Sequence, residues 1–188
     1  MLIILGESGS GKTTLQQYIC NKTNMKRAVS CTTRPKRDGE EDGKDYYFIN
    51  DTDYLNLLDN NLLCEGANYR GWFYGLEKSE LKDNNILVAT PSGLRRIKKY
   101  IKGNNLDINV ISVYLKVDKL SRFIKILQRD GEKGLDEAYR RVTSDSGMFS
   151  EFEDEVDIVL DNLEYRFSVE TLFDKLKQEL EARGVELV

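Results

Sequence analysis

Residues 2–14, "LIILGESGSGKTT", constrain this chain more than any other stretch. Leu2 to Leu5 is a short, unbroken apolar run of the kind that forms a strand buried on both faces, and it breaks at once into a glycine-rich loop. Gly6, Glu7, Ser8, Gly9, Ser10, Gly11, Lys12 and Thr13 satisfy G-x-x-x-x-G-K-[ST] between an expected strand and an expected helix, where the motif has its mechanical meaning. Glycines let backbone N–H groups converge on a phosphate, and the helix that begins near Thr14 adds partial positive charge at its N-terminus. Lys12 can reach the outer phosphates and the Thr13 hydroxyl can ligate Mg²⁺. A nucleoside polyphosphate such as ATP is the ligand for such a loop, but the loop alone does not choose among GTPases, ATPase motors and kinases.

The rest of the chain narrows the choice. "RAVSC" predicts a second strand, "DTDYLNLLDNN" a short capped helix, and "LLCEGANY", Arg70-Gly71 and "WFYG" a hairpin. "NILVA" is another buried strand, Ser92 an expected cap for the helix "GLRRIKKYI", and "INVISVYLKV" a longer strand ending at Asp118. Two helical stretches follow, around Leu120 to Arg129 and Leu135 to Ser144, then a last strand in "DEVDIVLDN". Val169, Leu172, Phe173, Leu176 and Leu180 form one apolar stripe on a closing helix that stops at Gly184. The expected architecture is α/β, one domain with a mostly parallel sheet and helices on both faces. Its core is residues 1–28, 80–118 and 148–188, with an antiparallel insert at 29–79 and a helical projection at 119–147.

Composition excludes several classes. The chain has no histidine, which removes histidine acid–base catalysis and histidine metal sites. A net charge of -4 gives no general basic field, so nucleic acid is not an expected partner. Cys20, Cys31 and Cys64 are an odd number without metal-type spacing, which fits a reducing compartment. The early apolar run is far too short for a membrane span, so the expectation is a cytoplasmic monomer or homodimer. No N-K-x-D tetrapeptide of the GTPase type occurs, and the chain is too short for a motor.

Residues 30–48, "SCTTRPKRDGEEDGKDYYF", place Arg34, Lys36 and Arg37 beside acidic residues and two tyrosines. Guanidinium forks match phosphate oxygens bidentately, so Arg34 and Arg37 could grip a second phosphate, completed by the phenols of Tyr46 and Tyr74. The same residues could equally form a solvated turn before a strand on which Tyr46 and Phe48 share a face.

"VSCTTRPKRDGEEDGKDYYF" closely resembles the monophosphate-binding segment of guanylate kinases, and "EGANYRGWFYG" and "DIVLDN" resemble that family's hairpin and last strand. The resemblance implies transfer of a phosphoryl group from MgATP to GMP or dGMP, and it spans almost the whole chain. By it, Arg34, Arg37, Tyr46 and Tyr74 hold the acceptor's phosphate, while Ser30 and Glu65 read the base. A carboxylate suits guanine, whose adjacent N1–H and N2–H₂ donors it can meet together. The projection resembles the family's lid, whose arginines surround the transferring group. Arg129 matches, the second is either Arg140 or Arg141, and Lys125 stands where a further arginine is expected. Arg122, Arg95, Arg96, Lys98 and Lys99 read instead as solvated helix faces.

The chain departs from the family pattern at "VATPSG". Val88 and Thr90 stand at two positions where the family has aspartate, the first near Mg²⁺ and the second beside the guanine amino group; Leu76 replaces a serine. Thr90 can still accept a hydrogen bond at the base but carries no charge. Two alternatives stay open: a catalytically weak or silent module that binds a phosphorylated partner, and a kinase for another nucleoside monophosphate.

Overall fold

The computed structural model describes residues 1–69, 71–131, 135–145 and 147–187. Strands β1 (Leu2–Leu5), β2 (Lys26–Arg27), β7 (Asn85–Val88), β8 (Ile111–Lys116) and β9 (Ile158–Asp161) form a parallel sheet in the order β2-β7-β1-β8-β9. β1 is central, with Leu2 opposite Ile86 on one side and Ile111 on the other. All four of its side chains are buried, as the unbroken apolar run requires.

Alternation along the strands divides the core between the two faces. Ile3, Leu5 and Leu87 pack with Leu94, Ile97 and Ile101 of helix α3 (Pro91–Gly103). Leu2, Ile4 and Ile86 pack with Leu15 and Ile19 of α1 (Lys12–Lys22) and with Leu172, Leu176 and Leu180 of α6 (Val169–Glu181). Fully burying one such aliphatic side chain contributes about 1.5–3 kcal/mol, so this central sandwich holds β1, and the loop it feeds, in place.

A second sheet has the order β4-β3-β6-β5, from β3 (Cys31–Thr32), β4 (Tyr47–Phe48), β5 (Leu63–Tyr69) and β6 (Trp72–Glu77). β5 and β6 form the expected hairpin; its Arg70 lies outside the described residues. The sheet is mixed rather than antiparallel, because β3 pairs parallel with β4. Helix α2 (Asp51–Asp59), capped by Asn50, closes one side of it through Tyr54, which stacks on Phe73 and donates its hydroxyl hydrogen to the Tyr74 carbonyl at 3.1 Å.

Two local expectations change. "RAVSC" is not one strand: Lys26 and Arg27 pair with β7 in the parallel sheet, whereas Cys31 pairs with Gly75 in the second. The N-cap of α3 is Thr90, not Ser92. Pro91 lacks an N–H and has a fixed φ suited to the first helical position, so the helix begins there and the residue before it becomes the cap. Cys20, Cys31 and Cys64 are all free thiols. Burial pushes Cys31 up to about 11 and Cys64 up to about 12, which leaves both thiols protonated and inert near neutral pH.

Candidate active site

The glycine-rich loop leaves the C-terminal end of β1 and runs into α1, at the point where neighbouring strands connect in opposite directions. Two of its glycines are steric requirements. A Cβ on Gly6 would lie 2.7 Å from the Leu115 carbonyl, and one on Gly9 would lie 2.9 Å from the Arg122 carbonyl. The loop is therefore pressed against β8 and against helix α4 (Lys119–Asp130), and only glycine permits that approach.

Several features fit this loop to a phosphate. The Ser10 hydroxyl is buried with no hydrogen-bond partner among the described residues. The Ser8 N–H donates to Oδ2 of Asp145 at 2.6 Å, so an anionic oxygen already stands at one of the loop's amides. Lys12 folds back to donate to the Glu7 carbonyl at 2.9 Å. Burial lowers its pKa from 10.5 to about 8, even though the Asp145 and Glu7 carboxylates act to raise it. The Thr13 hydroxyl is exposed on the first turn of α1, and Thr14 follows it. Among the described residues no group of three acidic, histidine or cysteine side chains converges as a metal site. A Mg²⁺ ion would therefore be held mainly by nucleotide phosphates and water, with Thr13 as the protein hydroxyl, which is an ordinary setting for this ion.

The structure brings Arg34, Tyr46 and Tyr74 together. Arg34 is 7% exposed, and its guanidinium lies 5.5 Å from the Tyr46 ring centre and 5.6 Å from that of Phe48. The Tyr46 and Tyr74 rings meet edge to face at 5.9 Å, and the Tyr74 hydroxyl interacts with Arg34. The end of the Arg34 fork is taken by Glu40, at 2.8 and 3.0 Å. That carboxylate also accepts the Arg37 peptide N–H at 2.8 Å, so Glu40 fixes both arginines, leaving the Arg37 side chain exposed on the loop. Ser30, half-buried, immediately precedes β3, and its carbonyl accepts from the Tyr47 N–H.

Glu65 follows a β-bulge in β5 that re-aims its side chain, and it meets the N-terminus of α3. Arg96 donates to its Oε1 from both Nε (3.0 Å) and Nη2 (2.7 Å). Thr90 Oγ1 accepts from the Gly93 N–H at 3.2 Å and shares a hydrogen bond with the Ser92 hydroxyl at 3.1 Å. Arg96 is thus no solvated bystander. Nor is Arg122, which is 4% exposed and donates to the Val117 carbonyl, the Ser8 carbonyl and Glu7 Oε1. Tyr114 donates to the other Glu7 oxygen at 2.9 Å. Glu7, Tyr114 and Arg122 brace the phosphate loop from beneath.

Helix α5 (Leu135–Asp145) packs Ala138 and Val142 against Ile126 of α4. On α5, Arg141 is half-buried beside that apolar face and Arg140 is exposed; Arg129 is exposed in the last turn of α4. Asp145 ends α5, is 5% exposed, and accepts at Oδ1 from the Tyr69 hydroxyl at 3.5 Å.

Comparison with known proteins decides the family. The family model described as "Guanylate kinase" matches residues 1–183. The chain belongs to the guanylate kinase family. That is a family of phosphotransferase enzymes. The Guanylate kinase of Thermotoga maritima is 30% identical over 188 residues, covering 95% of this chain and 86% of that protein. The Guanylate kinase of Ehrlichia chaffeensis is 40% identical over 86 residues, which cover 45% of this chain and 41% of that protein's length. A crystal structure of guanylate kinase from Anaplasma phagocytophilum superposes with a TM-score of 0.72 at 24% identity, covering 97% of this chain and 85% of that one, and so shares the fold.

The two positions at which the resemblance implied aspartate have structural roles here. Val88 ends β7 and packs with the core, and Thr90 spends its hydroxyl on the α3 cap. Arg96 and Arg122 were not readable as site residues. Their carboxylate partners lie 31 and 115 residues away, and no local signal marks such pairs. Among the described residues no helix is long and apolar enough to cross a membrane.

Proposed function

We propose that the protein transfers the γ-phosphoryl group of ATP to GMP or dGMP, giving ADP and the nucleoside diphosphate. The observation that carries the reading is the position of Asp145. Its two oxygens touch the Ser8 N–H of the phosphate loop and the Tyr69 hydroxyl of the β5–β6 hairpin, so one carboxylate spans from the donor cradle to the acceptor sheet. A transferring phosphoryl group is of similar size and charge.

Transfer of this kind has a loose transition state, so catalysis rests on positioning and charge stabilisation rather than on a general base, and a chain without histidine can perform it. The loop amides, Ser10 and Lys12 hold the donor phosphates. Arg34, Arg37, Tyr46 and Tyr74 hold the acceptor phosphate, and Ser30, Glu65 and Thr90 face the base. Arg129 and Arg141 close over the transfer; the half-buried position of Arg141, beside the packed face of α5, favours it over Arg140. When bound, Mg²⁺ neutralises charge on the donor oxygens beside Thr13. Three free thiols fit a reducing, cytoplasmic setting. The test is ADP release followed in a coupled assay: it should require a nucleoside monophosphate acceptor and proceed with GMP or dGMP, and acceptor-independent release at the same rate would refute the assignment. The competing reading, a silent module, draws on the absence of carboxylates at Val88 and Thr90. It predicts phosphopeptide binding without ATP and no ADP release.

Two further outcomes follow from the donor site. ATP must displace the Asp145 carboxylate from the Ser8 N–H, so Asp145→Ala should tighten ATP binding about tenfold by removing a competing like charge. Titration calorimetry on the purified variant reads this directly, and weaker binding would contradict it. The second concerns pH. Bound phosphates raise the Lys12 pKa above its free-protein value of about 8, so ATP binding takes up a proton above that pH. Affinity should hold below pH 8 and weaken by up to about tenfold per unit above it. Fold stability moves the opposite way. The unfolded chain binds more protons on this lysine between about 8 and 10.5, so its contribution to stability rises across that window. A pH-independent ATP Kd from 7 to 9.5 would exclude this role for Lys12.

A further inference from the structure

The acceptor base would meet Glu65, and Glu65 is already engaged. Arg96 places two N–H groups on Oε1, which uses both lone pairs of that oxygen, and neither contact involves Oε2. The pair is well supported: the Glu65 side chain is 12% exposed, Arg96 39%, and Arg96 Nη2 also reaches the Ser92 hydroxyl at 3.3 Å. A Cβ placed on Gly93 would lie 3.6 Å from Glu65 Oε1 and 3.4 Å from Thr90 Oγ1, so the carboxylate, the arginine and the helix cap form one cluster.

Guanine presents N1–H and N2–H₂ side by side, and reading both with good geometry takes two acceptor oxygens. Here one carboxylate oxygen remains, and the Thr90 hydroxyl of the same cluster accepts the Gly93 N–H and is shared with Ser92. Arg96 brings a donor-only group to the same carboxylate, and its Nη1 hydrogens take no part in the contacts with Oε1 and Ser92. An acceptor beside a donor complements an N–H next to a carbonyl, the N1–H/C6=O edge of a 6-oxopurine. Adenine offers the reverse, an unprotonated N1 beside an amino group, and would meet two mismatches.

We propose that Arg96 is a specificity-determining residue of the acceptor site: by occupying Glu65 Oε1 it makes the pocket read the 6-oxo edge of a purine monophosphate and leave the 2-substituent unread. The acceptor class is then 6-oxopurine nucleoside monophosphates, with hypoxanthine accepted alongside guanine. This rests on the acceptor-site reading given above, not on turnover. A pocket that hydrogen-bonds a group rejects its absence by orders of magnitude, whereas an unread position discriminates weakly. The base therefore should be selected strongly at position 6 and weakly at position 2.

The test is equilibrium binding of GMP, IMP and AMP to the wild type, Arg96→Gln and Thr90→Asp, alongside kcat/KM with ATP for each acceptor. In the wild type, the Kd values for GMP and IMP should agree within about fivefold, with AMP weaker by about a hundredfold or more. Arg96→Gln frees Oε1 and should raise the preference for GMP over IMP about tenfold; Thr90→Asp, which adds a carboxylate at the cap and keeps a capping oxygen, should do the same. Circular dichroism confirms that each variant is folded. A loss of fold could weaken all three ligands together but could not shift their ratio. A wild type that prefers GMP over IMP by a hundredfold, or a ratio unmoved in folded Arg96→Gln, overturns the proposal, as does failure of both 6-oxopurine nucleotides to bind. Binding of both without transfer from ATP would uphold it and refute the kinase reading instead.

Discussion

Lys12→Ala should lower kcat by about a thousandfold while leaving the protein folded. In the proposed reaction Lys12 is the cation that follows charge onto the donor's outer phosphates, and losing one preorganised group of this kind costs about 10²–10³ in rate. Stability should hold or rise slightly, because burial already disfavours the charged lysine, whose pKa has fallen to about 8. Its visible hydrogen bond is one donation to the Glu7 carbonyl, which water can replace in the variant. A coupled assay reads the rate, and a thermal melt followed by circular dichroism reads the fold. Wild-type turnover in folded Lys12→Ala protein would remove the phosphate loop from the mechanism.

Arg34→Ala should raise the acceptor KM about a hundredfold, leave ATP affinity within about twofold, and lower the melting temperature. Two effects separate here. In the proposed reaction the guanidinium holds the acceptor phosphate, and charge-assisted forks are the strong contacts in such sites. It also neutralises Glu40, whose side chain is 19% exposed; stranding that carboxylate costs roughly 1–3 kcal/mol of stability. The double variant Arg34→Ala/Glu40→Ala should recover most of the melting temperature and none of the acceptor affinity. If the double variant restored KM as well, Arg34 would be a structural residue and the acceptor cage would need another anchor.

How much of this was legible depends on how local each signal is. The phosphate loop is wholly local: strand, glycines, lysine and helix follow one another within "LIILGESGSGKTT", and each residue's task follows from its neighbours. In the acceptor segment the residues alone left a phosphate cage and a basic turn equally open, and only the resemblance to a family favoured the cage. The α3 cap slipped by two residues because Pro91 starts the helix earlier than Ser92 suggested. That small slip matters, since it commits the Thr90 hydroxyl to the helix. "RAVSC" misled because its β-type composition says nothing about which sheet each end will join. Least legible were charges whose partners are distant in sequence. Arg96 and Arg122 sit among basic residues on helices, where a solvated face is the ordinary reading. Asp145 meets the phosphate loop across 137 residues. Those three side chains pack beside the residues that the motifs single out.

The most direct measurement follows the label from γ-³²P-ATP in the presence of Mg²⁺ and GMP. Label should move into GDP in step with ADP formation, with little appearing as inorganic phosphate, because the acceptor phosphate and not water occupies the gap that Asp145 now spans. Folded protein that binds ATP but leaves the label in ATP, or releases it only as inorganic phosphate, would contradict a two-nucleotide phosphotransferase.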